Sequence, residues 1–207
     1  MRKLKTLEII LIGFFLLIVV FGIWRVFLDQ PEEEKEKTVK EQIFSIIAGF
    51  DFSDPQSFTT VSEIDSLGEQ SVPVLQELLN SNSLSDRWAA IILLPRFAKN
   101  NEDLRPGVIE GLQKTVDDEN DTLRMLTGAQ LLSLGEKQGI PVLISCLDST
   151  AATHFGEPPE LVKDRSLFYL RHYAPFQGKT VQEWQAWWET NQERIAWNEE
   201  KEVFEIQ

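Results

Sequence analysis

The sequence predicts an all-α protein: an N-terminal transmembrane helix followed by an α-solenoid of paired helices. Three observations predict this fold class. Residues 9–24 contain no charged side chain. A Ser-Leu-Gly-Glu segment followed by Pro-Val-Leu occurs twice, within residues 66–75 and 133–143. Three prolines that each precede an apolar segment, Pro73, Pro106 and Pro141, are 33 and 35 residues apart, a period typical of helical solenoids.

Length and composition limit the possible classes of protein. The 207 residues are 43% hydrophobic and 26% charged, which is the composition of a folded domain with room for one N-terminal segment. The formal net charge of −13 argues against nucleic acid as a partner, because an acidic surface repels phosphate. Cys146 is the single cysteine, so no intramolecular disulfide can form, and we expect it to be a small buried apolar residue.

The predicted membrane-spanning segment is residues 7–28, after a short basic tail of residues 1–6. This length reaches the roughly 20 residues that a helix needs to cross a lipid bilayer. A cleaved signal peptide is the alternative, but residues 24–29 are bulky where cleavage requires small side chains. We therefore expect a retained signal-anchor and a single-pass membrane protein.

The basic residues near the segment bear on its orientation. Arg2, Lys3 and Lys5 favour a cytoplasmic N-terminus and an extracytoplasmic C-terminal domain. Basic residues on the other side oppose this orientation: Arg25, Lys35, Lys37 and Lys40.

Residues 29–37 are predicted to be an acidic linker, residues 38–198 the helical domain, and residues 199–207 an acidic, solvated tail. Thr38 with Glu41 and Thr60 with Glu63 match capping boxes, which open helices. Gly68 is expected to end the second of these helices in a left-handed conformation.

Helix pairs are predicted from there on. Pro73 suits the first turn of a helix, where its missing N–H is not needed. The following pair begins near Ser83, contains Pro95 as an expected kink, and continues in a helix over residues 105–116. A third pair is predicted over residues 121–134 and 140–147.

The opening proline, the Leu-Gly turn, the kinking proline and an early arginine in each first helix together resemble HEAT repeats, most closely the short repeats of phycobilin lyases. The resemblance covers residues 57–147 and, more loosely, the chain to residue 191. It implies stacked helix pairs that serve as a protein-binding scaffold. It also implies that Arg87, Arg124 and Arg165 brace neighbouring repeats.

The C-terminal part is less regular. Residues 148–160 form a longer connection than a repeat turn, and a helix is predicted over residues 161–173. Thr180 and Glu183 match a third capping box. The tryptophans that follow lie on one helical face, and are expected either to cap the last repeat or to form a partner-binding pocket: Trp184, Trp187 and Trp188.

The sequence predicts no catalytic, cofactor or metal site. His154 and His172 are the only histidines and have no metal-ligand spacing. Phosphate-binding glycine loops are absent from the sequence.

The function predicted from the sequence is that of a membrane-tethered scaffold, anchored in the lipid bilayer by residues 7–28, that binds a basic protein or peptide. The predicted contact residues are polar and oppose the apolar stripe of the second helices: Gln76, Glu77, Glu110, Gln113, Lys114 and Ser145. The alternatives are an enzyme or enzyme subunit, such as a lyase or hydrolase, with a site near residues 148–160 and His172, or a structural component of the cell envelope.

Overall fold

The computed structural model describes residues 32–50, 59–153 and 159–207. Two compact units divide the chain, Met1–Glu41 and Gln42–Gln207. Of the first unit, residues 32–41 are described and are helical. The second unit holds the core and the candidate site.

The described residues form nine α-helices, a short 3-10 helix at Gly68–Ser71 and one β-hairpin. In chain order these helices and strands are α1 (Glu32–Ala48), α2 (Thr60–Ser66), α3 (Val72–Leu78), α4 (Leu84–Asn100), α5 (Arg105–Gln113), α6 (Asp121–Ser133), α7 (Gly139–Ser145), α8 (Val162–Tyr173), α9 (Val181–Asn191), β1 (Ile195–Asn198) and β2 (Val203–Ile206).

The predicted fold class requires two corrections, and the first concerns the membrane. Among the residues that the structure describes, no helix is long and apolar enough to span a bilayer. The longest, α1 and α4, have 17 residues each and carry several charges, whereas a span needs about 20 apolar residues. The expected span, residues 7–28, lies outside the described residues. The predictions of a signal-anchor, of a single-pass membrane protein and of its orientation are therefore not retained.

The second correction is that the domain is not all-α. Strands β1 and β2 pair in antiparallel register, with Trp197 opposite Phe204. The rings of these two residues are 5.0 Å apart in an edge-to-face arrangement, and Phe204 is only 2% exposed. Residues 199–207 are thus not a solvated tail, because Phe204 anchors the second strand in the core.

The capping signals were correct in some places and wrong in others. Helix α1 begins at Glu32, so Thr38 lies inside the helix and does not cap it. Thr60 is the first residue of α2, and the preceding Thr59 makes no capping hydrogen bond with its side chain. The capping box of Thr180 and Glu183 is confirmed, with both reciprocal hydrogen bonds present.

The prolines and the Leu-Gly turns occupy the predicted positions. Pro73 and Pro106 lie in the first turns of α3 and α5, and Pro141 is the third residue of α7. Gly68 has the expected left-handed conformation, with φ of +70°, and Gly135 in the second copy has φ of +73°. The glycines therefore follow the first helix of a pair, and the prolines lie near the start of the second.

Helices α4 and α6 form the centre of the second unit. They pack against each other, α4 also against α2, α3 and α5, and α6 also against α5, α7 and α8. The close packing of α6 on α7 depends on Gly139, because a Cβ there would collide with the backbone oxygen of Gly128. The largest fully buried aliphatic side chains of this core include Leu75, Ile91, Leu94, Leu123 and Leu131.

Candidate binding surface

The six polar residues predicted as contacts lie on or directly after α3, α5 and α7, the second helices of three successive pairs. Five of them are exposed, namely Glu77, Glu110, Gln113, Lys114 and Ser145, and Gln76 is half-buried. The apolar residues of the same helices are buried, including Val74 and Leu75 of α3. Each helix therefore presents a polar side to solvent while its apolar side packs in the core.

Two of these polar residues, Glu110 and Ser145, make weak or local contacts within the chain. Nζ of Lys114 lies 3.9 Å from Oε1 of Glu110, and the two side chains are 56% and 77% exposed, so this ion pair contributes little to stability. The Ser145 hydroxyl donates to the carbonyl of Val142 at 2.7 Å. Glu110 therefore keeps most of its hydrogen-bonding capacity for solvent or a partner.

Two of the three indoles of α9 belong to the core and not to an open pocket. Trp184 is fully buried and Trp187 is 9% exposed. Phe176 packs edge-to-face on Trp184 at 5.0 Å and stacks on Trp187 at 5.4 Å. Trp188 is half-buried. Of the two functions expected for these residues, their burial favours the cap, because a partner cannot reach Trp184.

Arg87 and Arg124 are joined by one acidic residue. Arg87 donates two hydrogen bonds to the carboxylate of Asp118, and Nη1 of Arg124 donates to the backbone oxygen of Asp118 at 2.7 Å. Nη1 of Arg87 in turn donates to the backbone oxygen of Ser81 at 2.9 Å. Asp118 lies in the connection between α5 and α6, so these bonds hold α4 and α6 to the same segment.

The network continues from Arg124 into the connection after α7. Arg124 and the Ser149 hydroxyl both donate hydrogen bonds to the carboxylate of Asp121. The hydrogen bond from Ser149 and the charge of Arg124 lower the pKa of Asp121. Nearby, Cys146 is fully buried, and burial raises the pKa of its thiol. Cys146 therefore has the environment of a core residue, as expected.

Arg165 departs from this arrangement. Its guanidinium pairs with Glu160 at 3.2 Å and lies 5.4 Å from the ring centroids of both Phe168 and Tyr169. Arg165 thus pairs with an acid that precedes its own helix, whereas Arg87 pairs with Asp118, which lies beyond the following helix.

Sequence reasoning missed a second row of hydrogen bonds between successive helix pairs. Asn101 donates to Oε1 of Glu69 at 2.9 Å, Arg105 donates to the backbone oxygen of Leu134, and Nζ of Lys137 donates to the backbone oxygen of Gln192 at 2.7 Å. All of these donors lie in or next to the turn between the two helices of a pair. The signal in the sequence that could have predicted these bonds is a long polar side chain that recurs beside this turn in successive helix pairs.

The alternative enzymatic site is not assembled in the described residues. His172 lines a cavity of about 440 Å³ with Asp164, Leu167, Phe168 and Arg171, all on α8. A cavity of about 650 Å³ at the start of α6 is instead lined by four residues of the 148–160 connection: Ala151, Ala152, Thr153 and Pro159. The two cavities share no described residue, and His154 lies outside the described part of the chain.

The described residues also include no cluster of three or more His, Cys, Asp or Glu side chains suited to a metal ion. Comparison with protein-family models, with curated proteins and with solved structures found no significant match to this chain. The function is therefore inferred from the geometry of the chain itself.

Proposed function

We propose that this chain is a protein-binding scaffold, a HEAT-like array of helix pairs whose exposed surface on α3, α5 and α7 binds a basic protein or peptide. The observation that carries the proposal is the exposure of predicted contact residues on three successive second helices. Two rows of hydrogen bonds between successive pairs support a stacked arrangement, because each repeat of such an array is stable only through its neighbours.

Charge supports a basic partner. The chain has a formal net charge of −13, and Glu77 and Glu110 place carboxylates on the surface of α3 and α5. A positively charged partner is attracted by this field, and exposed charge pairs are screened by salt. Binding should therefore weaken as ionic strength rises.

A pulldown with the purified chain as bait tests this surface. The variant Glu77→Ala with Glu110→Ala should lose proteins that the unmodified chain retains at low salt. Glu63→Ala with Glu102→Ala is the matched control, since it removes two exposed acids from α2 and from the turn after α4. Equal recovery by both double variants and by the unmodified chain would contradict the proposed surface.

The alternatives are an enzyme with a site near residues 148–160 and His172, and a purely structural protein. No geometry in the described ranges favours either over binding, since the two cavities that the enzyme would need to combine share no described residue.

A further inference from the structure

One side of α8 exposes an aromatic residue at the centre of an open groove. Phe168 is 56% exposed, the highest value among the large apolar side chains in the described part of the chain. Together with Asp164, Leu167, Arg171 and His172 it lines the cavity of about 440 Å³. These residues follow Asp164 at intervals of a helical turn, so they share one side of the helix. We call these five residues the α8 face.

Phe168 is held in position by its own neighbours. The guanidinium of Arg165 lies 5.4 Å from the centroid of its ring, and the ring of Tyr169 packs edge-to-face on it at 5.6 Å. The ring plane of His172 is 2° from parallel to that of Phe168, at a centroid distance of 6.2 Å. A side chain that is already ordered loses little conformational entropy on binding, and aromatic anchors contribute much of the energy of protein interfaces.

Opposite charges lie on the two sides of Phe168 along the helix. Asp164, one turn before it, is exposed, and its carboxylate accepts no hydrogen bond from the residues that the structure describes. Arg171, about one turn after it, is half-buried. Nε and Nη2 of Arg171 donate to the backbone oxygen of Gly178 at 3.2 and 3.0 Å, which leaves Nη1 able to bind another group.

This order of charges is complementary to itself. In a two-fold symmetric contact each residue pair occurs twice, with the two copies exchanged. An axis midway between Leu167 and Phe168 places Asp164 of one copy opposite Arg171 of the other. Both residues then lie about 5 Å along the helix from the axis, because a helix rises about 1.5 Å per residue. A parallel arrangement would instead place Asp164 opposite Asp164.

We propose that the α8 face binds the same face of a second copy of this chain, with the two α8 helices antiparallel. Phe168 of each copy packs in the groove of the other beside Leu167, and two Asp164–Arg171 ion pairs lie on either side of this apolar centre. One face of a helix of 12 residues is smaller than a standard interface of about 1,600 Å², so the dimer is weak and forms in concentrated solution.

Sedimentation equilibrium of the full-length chain over a range of concentrations tests the inference. At about 0.15 M salt the Debye length is about 8 Å, so the repulsion between two chains of net charge −13 is largely screened. The unmodified chain should show a monomer–dimer equilibrium. Phe168→Ala should raise the dissociation constant at least about tenfold, as for an aromatic anchor. Ile206→Ala, at a side chain that is 42% exposed in β2, is the control and should leave it unchanged.

Two charge reversals separate loss of this contact from loss of folding. Asp164→Arg and Arg171→Glu should each raise the dissociation constant at least about tenfold, because each variant places two like-charge pairs in the contact. An equimolar mixture of the two variants should dimerise again, since both pairs of the mixed dimer then have opposite charges. Glu189→Arg, at an exposed residue of α9, is the matched control and should have no effect.

Three results would overturn the inference. A chain that is monomeric at every concentration would leave the α8 face to a partner of a different sequence. Association that is equal in the unmodified chain and in all the variants would place the contact elsewhere. A mixture of the two charge reversals that does not dimerise would exclude the antiparallel arrangement. The α8 face shares no residue with the surface proposed on α3, α5 and α7, so the two proposals can fail separately.

Discussion

The guanidinium of Arg87 binds both carboxylate oxygens of Asp118, with Nε 2.8 Å from Oδ2 and Nη2 3.2 Å from Oδ1. The two side chains are 13% and 6% exposed. A second hydrogen bond reaches Oδ1 of Asp118 from the backbone N–H of Asn120 at 2.9 Å. This residue pair connects α4 to the segment that starts α6, so it bears directly on how consecutive helix pairs are held together.

Removal of one partner of this buried pair should be strongly destabilising. Asp118→Ala leaves the Arg87 charge buried without its carboxylate, and we expect the free energy of unfolding to fall by about 3–5 kcal/mol. Urea denaturation measures the effect. Arg96→Ala is the control, because Arg96 pairs with Asp65 at 2.7 Å but is 52% exposed, and it should cost less than about 1 kcal/mol. Similar losses in the two variants would show that the Asp118 network is not a structural brace.

The stability of the domain should depend on pH through Asp121. Its pKa is lowered from the ordinary value of 3.8 by the Ser149 hydrogen bond and by Arg124. A carboxyl group with a lowered folded-state pKa stabilises the fold above its unfolded-state pKa, and this stabilisation is lost as pH falls through the folded-state value. Asp121→Asn should therefore be less stable than the unmodified chain at pH 7, and the difference should shrink below about pH 4. Urea midpoints measured between pH 7 and pH 3 report it; a difference that stays constant over this range would contradict the assignment to Asp121.

Gly135 should tolerate substitution less well than Gly68, although both have left-handed backbone conformations. A Cβ at Gly135 would lie 2.9 Å from Cγ of Trp197, whereas nothing lies within 4 Å of a Cβ at Gly68. Gly68→Ala should therefore cost only the backbone strain of about 1–2 kcal/mol. Gly135→Ala should cost about 1–3 kcal/mol more, because the added methyl group displaces the indole. Thermal unfolding of the two variants gives the comparison, and equal losses would show that the hairpin does not pack on this turn.

Phe204 should be a stability determinant although it is followed by only three residues of the sequence. The side chain is 2% exposed, while Ile206 in the same strand is 42% exposed. Phe204→Ala should lower the free energy of unfolding by about 3–5 kcal/mol, the range for a buried aromatic residue. Ile206→Ala should change it by less than about 1 kcal/mol, since exposed positions contribute little. Chemical denaturation of both variants distinguishes an integrated hairpin from a solvated tail, for which both changes would be small.

The sequence predicted the helices best where the signal lies within one or two turns of backbone. Ser83 accepts a hydrogen bond from the N–H of Asp86 at 3.4 Å and starts α4, as expected from the local residues. Thr180 and Glu183 form the predicted capping box. These signals are reliable because the capping side chain and the backbone N–H that donates to it are only three residues apart.

The same signals failed where a neighbouring segment offered a stronger alternative. Thr38 matches a cap in sequence, but the glutamate- and lysine-rich residues before it have high helix propensity, and α1 includes them from Glu32 onward. Arg165 matches the arginine column in spacing, but its partner is Glu160. A pattern does not reveal which of several nearby acids an arginine will contact.

Of the candidate surface, the sequence predicted the exposed residues of α3, α5 and α7 but left two functions open for the tryptophans. Glu77 and Glu110 follow from the helical period, because the polar side of an amphipathic helix faces water. The burial of Trp184 and Trp187 did not follow from the helical period. The period places both side chains on one face of α9, but it does not indicate which residues cover that face. Phe176, which packs on both rings, lies outside the helix that carries them.

The sequence by itself determined where most of the helices begin and turn, since Pro73, Gly68 and Thr180 act on the backbone within a few residues. Only the tertiary structure decided that Asp118 serves both Arg87 and Arg124, and that Trp197 of the hairpin packs on Gly135. The reason is that local conformation depends on residues that are near in the sequence. Burial and ion pairing depend instead on which distant segments pack together, and the pattern of a sequence does not determine those contacts.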